Sequence, residues 1–136
     1  MRLWVTVLIV SGCASAPQYG SFLQGQHQAQ AALAADAASK LSEDYEPQNV
    51  GVVYTQQHAD PFGRGLSAGL QDAGFAVRRG TGGPKAFTVR YVVDQIKGTA
   101  LLRVTMRVRG RVLSRAYATR ATGAVAVGPW SSGGTL

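Results

Sequence analysis

One nucleophile in this chain has a recognisable chemical setting, and it is Cys13. It is the sole cysteine, and it closes Val10-Ser11-Gly12-Cys13 after Arg2 and an apolar run from Leu3 to Val10. That order is the layout of a bacterial lipobox. A short apolar helix holds the precursor in the bilayer, and small side chains admit the backbone to a narrow protease groove. The cysteine thiolate, the nucleophilic form of the side chain, then accepts a diacylglyceryl group. Cleavage would leave lipid-bearing Cys13 as the first residue of the mature chain. Two other readings fit the stretch: a buried first strand, since Trp4 to Val10 is rich in β-formers, and an ordinary secretory signal, for which it is short. A permanent membrane helix does not fit, because Leu3 to Val10 cannot cross about 30 Å of hydrocarbon.

The other chemistry-bearing residues form no constellation. His27 and His58 each stand alone, without the paired ligands a metal needs. Glu43, Asp44 and Glu46 do not have the spacing of a calcium loop. The glycines of Arg79-Gly-Thr-Gly-Gly-Pro84 lack the G-x-x-x-x-G-K-[ST] order and precede no helix, so they make a connection and not a phosphate cradle. Ser114 falls on an expected strand with no visible base. With Cys13 acylated no thiol remains for a disulfide or a cysteine metal site. The expectation is no enzyme, no metal and no cofactor.

Charge is the stronger signal. The formal net charge is +7, but Ala14 to Val77 holds two basic and six acidic residues, whereas Arg78 to Leu136 holds eleven basic residues and one acid, Asp94. Such asymmetry bears on partners and not on fold. Alternation puts Arg103, Arg107 and Arg109 on one face of a strand, with Arg90 and Arg115 extending the patch if the register allows. These three arginines are the candidate docking residues for an acidic partner protein. A solvated face beside membrane phosphates is the plainer alternative. A binding module for single-stranded DNA or peptidoglycan is the third, and direct nucleic-acid contact is disfavoured because the face offers few aromatics for stacking.

The elements that must hold these residues read as follows. Ala14 to Gly25 is a flexible spacer. Gln26 to Tyr45 is an alanine-dense helix with Leu33, Ala37, Leu41 and Tyr45 along one stripe, ended by Pro47. Asn49 to Thr55 is a first strand. Asp60-Pro61 is an N-cap with proline at the first helical position, followed by Phe62, Leu66, Leu70 and Ala73 on one face and by Gly74 as a left-handed cap. Phe75-Ala76-Val77 is a short strand. Phe87, Val89, Tyr91 and Val93 alternate on one strand, and Leu102, Val104, Met106 and Val108 on the next, with Gly110-Arg111 as a type II′ turn into Val112 to Thr122. A short segment from Ala124 to Trp130 precedes a polar end.

The fold class expected is α+β: a small single domain, helix–strand–helix–strand followed by an antiparallel meander, with helices packed on one face of the sheet. The boundaries are residues 1–12 as lipoprotein signal peptide, 13–25 as lipidated cysteine and tether, 26–130 as globular domain and 131–136 as polar tail.

Several stretches together resemble one family. Val10-Ser-Gly-Cys-Ala-Ser15, Gln18-Tyr-Gly20, Asp60-Pro-Phe62 with Leu66, Leu70 and Gly74-Phe-Ala-Val77, Tyr91-Val-Val-Asp-Gln95, Leu102-Arg-Val-Thr105, Leu113-Ser-Arg-Ala-Tyr117 and Gly128-Pro-Trp130 are similar to the conjugal transfer lipoprotein family TrbH. The resemblance runs over nearly the whole chain. It implies membership of the mating-pair-formation set of a P-type conjugative type IV secretion system, a place at the outer membrane facing the periplasm, other apparatus subunits as partners, and no catalytic residue. Ala14 after Cys13, in place of aspartate, leaves export to the outer membrane open.

Overall fold

The computed structural model describes residues 19–55, 60–80 and 82–134. A mixed sheet is covered on one face by two helices. In chain order the elements are β1 (Gly20–Ser21), α1 (His27–Asp44), the helical turn α2 (Pro47–Val50), β2 (Val52–Thr55), α3 (Pro61–Asp72), β3 (Ala76–Arg79), β4 (Phe87–Gln95), β5 (Leu102–Val108), β6 (Arg111–Arg120), β7 (Gly123–Ala126) and β8 (Ser131–Gly134). The sheet runs β3-β2-β4-β5-β6-β7. β2 is parallel to both β3 and β4, and the meander from β4 through β7 is antiparallel. The expected α+β class holds, with the helices segregated to one face.

Two long strands, besides pairing with β5, each carry two further neighbours. β4 pairs with β2 at Phe87 and Thr88 and with β1 at Val92 and Val93. β6 pairs with β8 over Arg111 to Ser114 and with β7 over Tyr117 to Arg120.

Alternation made the core. Phe87, Val89, Tyr91 and Val93 of β4, and Leu102, Val104, Met106 and Val108 of β5, are buried under the helices. Leu33, Ala37 and Leu41 of α1 and Phe62, Leu66 and Leu70 of α3 close over them. The helices meet through small residues. A Cβ at Gly65 would sit 2.8 Å from the Cβ of Ala34, and one at Gly69 2.7 Å from that of Ala38. Glycine at these two positions lets α3 lie against α1 at a distance no larger side chain permits.

The local departures have physical causes. Pro47 does not simply end α1: Tyr45 leaves it with extended backbone, and Pro47 takes the first position of α2, where its missing donor costs nothing. Val50 is therefore helical and the first strand starts at Val52. Ala73 is exposed as the cap of α3, and Gly74 follows it at φ +101°. The β5–β6 turn is Arg109-Gly110, with φ of +47° and +74°, between paired Val108 and Arg111. Positive φ at both central residues is the type I′ signature, one residue earlier than expected. The polar end is also part of the sheet, since Ser131–Gly134 forms β8 against β6 through main-chain pairing, to which the Ser131 hydroxyl adds a bond to the Ser114 carbonyl at 3.1 Å and Arg111 Nη2 one to Ser132 Oγ at 3.3 Å.

Candidate functional site

Cys13 lies outside the described residues. The structure does show how the chain enters the domain from that side. Gly20 and Ser21 pair in parallel with Val92 and Val93, and the Phe22 N–H donates to the Val93 carbonyl at 2.8 Å. Ser21 donates its N–H to Asp60 Oδ2 at 3.1 Å and its hydroxyl to Gln30 Oε1 at 2.7 Å. Gln30, fully buried on α1, donates from Nε2 to the Gly25 carbonyl at 2.6 Å. The spacer expected from 13 to 25 is therefore strapped to the domain from Tyr19 onward. Gln30 went unnoticed in sequence because its partners are backbone and hydroxyl groups that no spacing rule exposes.

Asp60 is the centre of this strap. Its Oδ1 accepts the Gly63 N–H at 2.7 Å, the expected N-cap bond, while Oδ2 also accepts the Tyr91 hydroxyl at 2.8 Å. Across the sheet the Tyr117 hydroxyl donates to Asp36 Oδ2 on α1. Both phenols have pKa values pushed well above the ordinary tyrosine range, first by burial and second by the carboxylate each one faces. Because the folded state holds the neutral phenol more tightly than the unfolded chain, its contribution is intact below the unfolded value of about 10 and drains as pH rises past it. Urea midpoints followed upward from pH 9 should accordingly fall steeply, and the Y91F/Y117F double variant, from a lower start, should fall with a shallower slope. Identical slopes would show that these phenols do not carry the alkaline limb.

The charge asymmetry is partly answered inside the molecule. Arg115 shares the helix-facing side of β6 with Leu113 and Tyr117; its Nη1 lies 2.9 Å from Asp36 Oδ2, and its Nε donates to the Gly128 carbonyl at 2.7 Å. Arg111 lies 3.3 Å from Asp44 Oδ2, while Lys40 pairs with Oδ1 of the same carboxylate, and Arg111 also reaches the Tyr45 hydroxyl at 3.2 Å. The acidic front of the sequence has become a helix whose Asp36 and Asp44 receive arginines from the basic back.

This sorting corrects the expected arginine patch. Arg103 is on the uncovered face, but both ends of its guanidinium fork are held by Asp94, at 3.1 and 2.7 Å, which also raises its pKa. Arg109 sits in the turn, and its guanidinium lies 5.1 Å from the ring centre of Phe87, a residue of the buried face. Arg115 faces the helix. The three candidate docking residues Arg103, Arg107 and Arg109 therefore do not form one surface. Exposed Arg107 remains, directly opposite exposed Arg90 on the neighbouring strand.

His27 is exposed at the start of α1 and lines a groove of about 320 Å³ with Gln26, Thr119, Arg120 and Gly123. His58 lies outside the described residues. Among the described residues no group of three His, Cys, Asp or Glu is placed to hold a metal, and no helix is long and apolar enough to cross a membrane.

Comparison with known proteins adds two matches. The family model described as conjugal transfer protein TrbH matches residues 16–134. A protein of Sinorhizobium fredii (strain NBRC 101917 / NGR234) named "Probable conjugal transfer protein TrbH" is 30% identical over 140 residues, spanning 94% of this chain and 92% of that one. No solved structure gives a significant match.

Proposed function

The chain belongs to the TrbH family of conjugal transfer proteins, and from that premise we propose that it is a lipid-anchored, non-enzymatic accessory subunit of a conjugative type IV secretion, mating-pair-formation apparatus. Cys13 carries the lipid, the domain sits on the periplasmic face of the outer membrane, and it docks to other channel or pilus-assembly subunits. Family membership is the observation that carries the reading. The lipobox order supports the anchor. The alternative is a periplasmic module holding single-stranded DNA or peptidoglycan on its sheet. What weighs against it is the engagement of Arg103, Arg111 and Arg115 by carboxylates of the same chain, which thins any basic groove.

Deleting the gene from donor cells tests the assignment. Plasmid transfer is expected to collapse, to return with the wild-type gene and to stay low with Cys13→Ser, whose product should carry no labelled palmitate. Unchanged transfer in the deletion strain sinks the assignment. Full rescue by an unlipidated C13S protein would leave the family role standing and remove the anchor from it.

A further inference from the structure

The face of the sheet that the helices leave open carries a combination of features found nowhere else in the described residues. We propose that this open face lies against the headgroup layer of the bilayer that holds the Cys13 lipid, with Arg90 and Arg107 on lipid phosphates and Phe22 entering the interface. The inference rests on the lipid anchor proposed above.

The first support is where the chain begins. Tyr19 lies under the Arg90 guanidinium, 5.4 Å from ring centre to Cζ, and the next two residues are pinned to β4. Only six peptide steps separate Cys13 from Tyr19. At roughly 3.3–3.6 Å each, they span no more than about 22 Å. Cys13 therefore lies within that distance of Tyr19, which stacks on Arg90, and the domain cannot move its Arg90 edge far from the lipid surface.

The second support is charge. Arg90 and Arg107 face each other directly across β4 and β5, an arrangement that costs stability unless an anion answers it. The nearby acid on this face, Asp94, is already in the fork of Arg103. Arg107 makes no ion pair among the described residues. Exposed acids lie elsewhere: Glu43 on α1, Glu46 just beyond it, and Asp72 at the end of α3. Arg90 and Arg107 thus lie on a face away from these carboxylates, whereas the helical side carries the exposed acids together with exposed Arg64 of α3, so the open face is the one that turns to an anionic surface.

The third support is apolar. Among the described residues the large hydrophobic side chains left in water are Phe22, Val125 and Val127, each about half exposed. Phe22 follows β1, and Val125 pairs with Ala118 on the open side of the sheet. Aromatic and aliphatic side chains toward one end of the open side, with arginines toward the other, are the composition of a surface resting at a membrane interface.

The experiment uses the full lipidated protein in phosphatidylethanolamine–phosphatidylglycerol vesicles carrying a headgroup-attached quencher. Acylated Cys13 is unreactive, so a fluorophore goes only to an introduced thiol, Thr105→Cys on the open face or Ser39→Cys on the exposed side of α1. The probe at position 105 is expected to be quenched several-fold more than the probe at 39. The contrast should shrink when phosphatidylglycerol is replaced by phosphatidylcholine, or in R90E/R107E whose circular dichroism matches the parent. Equal quenching at both positions, with wild-type Cys13 blocked and the protein vesicle-bound, overturns this proposal and leaves the anchor intact. A Cys13 that labels freely in the wild-type protein overturns both. Position 105 unquenched in vesicles, yet shielded from maleimide only in cells carrying the transfer operon, assigns the face to an acidic protein and also overturns the proposal.

Discussion

Replacing Met106 with aspartate is expected to leave the domain unfolded or absent from cells. Met106 is fully buried on β5, opposite Tyr91 on one side and Leu113 on the other. A carboxylate there has no cation within the core, and substitutions that bury an unpaired charge stand among the few that exceed about 4–5 kcal/mol. The lost thioether packing adds about 2–5 kcal/mol. A domain of this size holds only about 5–15 kcal/mol in all. M106L conserves volume and should cost less than about 1.5 kcal/mol. Soluble yield and thermal unfolding followed by circular dichroism separate the two. A cooperative M106D transition near that of the parent would mean that the meander does not pack as described.

Truncating Asp60 comes second in size. In D60A the Gly63 N–H loses its cap, worth about 0.5–2 kcal/mol. The buried Tyr91 hydroxyl loses its carboxylate, which costs about 1–3 kcal/mol. Together the expected loss is about 2–4 kcal/mol by urea denaturation. The Ser21 N–H loses the same acceptor, so the strap should loosen with the cap. Amide exchange at Ser21 and Phe22 should accelerate more than exchange in β5. Asn at this position keeps one acceptor oxygen, enough for the Gly63 cap but not for the bonds to the second oxygen, and should fall between D60A and the parent. If D60A is within about 0.5 kcal/mol of the parent, as an ordinary surface change would be, Asp60 does not join the leader to the fold.

Much of the fold was legible because its signals are local. Period-two alternation in Phe87–Val93 and Leu102–Val108 named both core strands and the buried face of each. Asp60-Pro61 announced the start of α3 because a cap needs only residues within one turn of it. What stayed hidden depends on residues distant in sequence. Nothing local says that Arg115 will meet Asp36, 79 residues away, or that Arg111 will meet Asp44. Arg103, Arg107 and Arg109, with Arg90 and Arg115, therefore read as one patch, although Arg109 and Arg115 turn to the helical side. The Arg109 error came from placing the turn one residue late, which moved that side chain off its strand. Strands β1 and β8 were invisible for another reason. Gly20-Ser21 and Ser131–Gly134 carry no alternating apolar pattern and are strands because β4 and β6 offer them free main-chain groups, with hydroxyl bonds from their serines in support.

That last feature bears on how the gene can drift. In β8 the sheet reads mainly carbonyls and amides, with one side-chain bond each from Ser131 and Ser132. A small or β-branched residue fits at Gly133, where a Cβ meets nothing within 4 Å, whereas changes at 131 or 132 also remove a side-chain hydrogen bond, so substitutions should be accepted most readily at 133. Proline is the exception, since it removes a donor from the ladder. Sequence identity at this end can erode while the architecture stays, whereas Gly65 and Gly69, wedged against Ala34 and Ala38, leave selection almost no latitude.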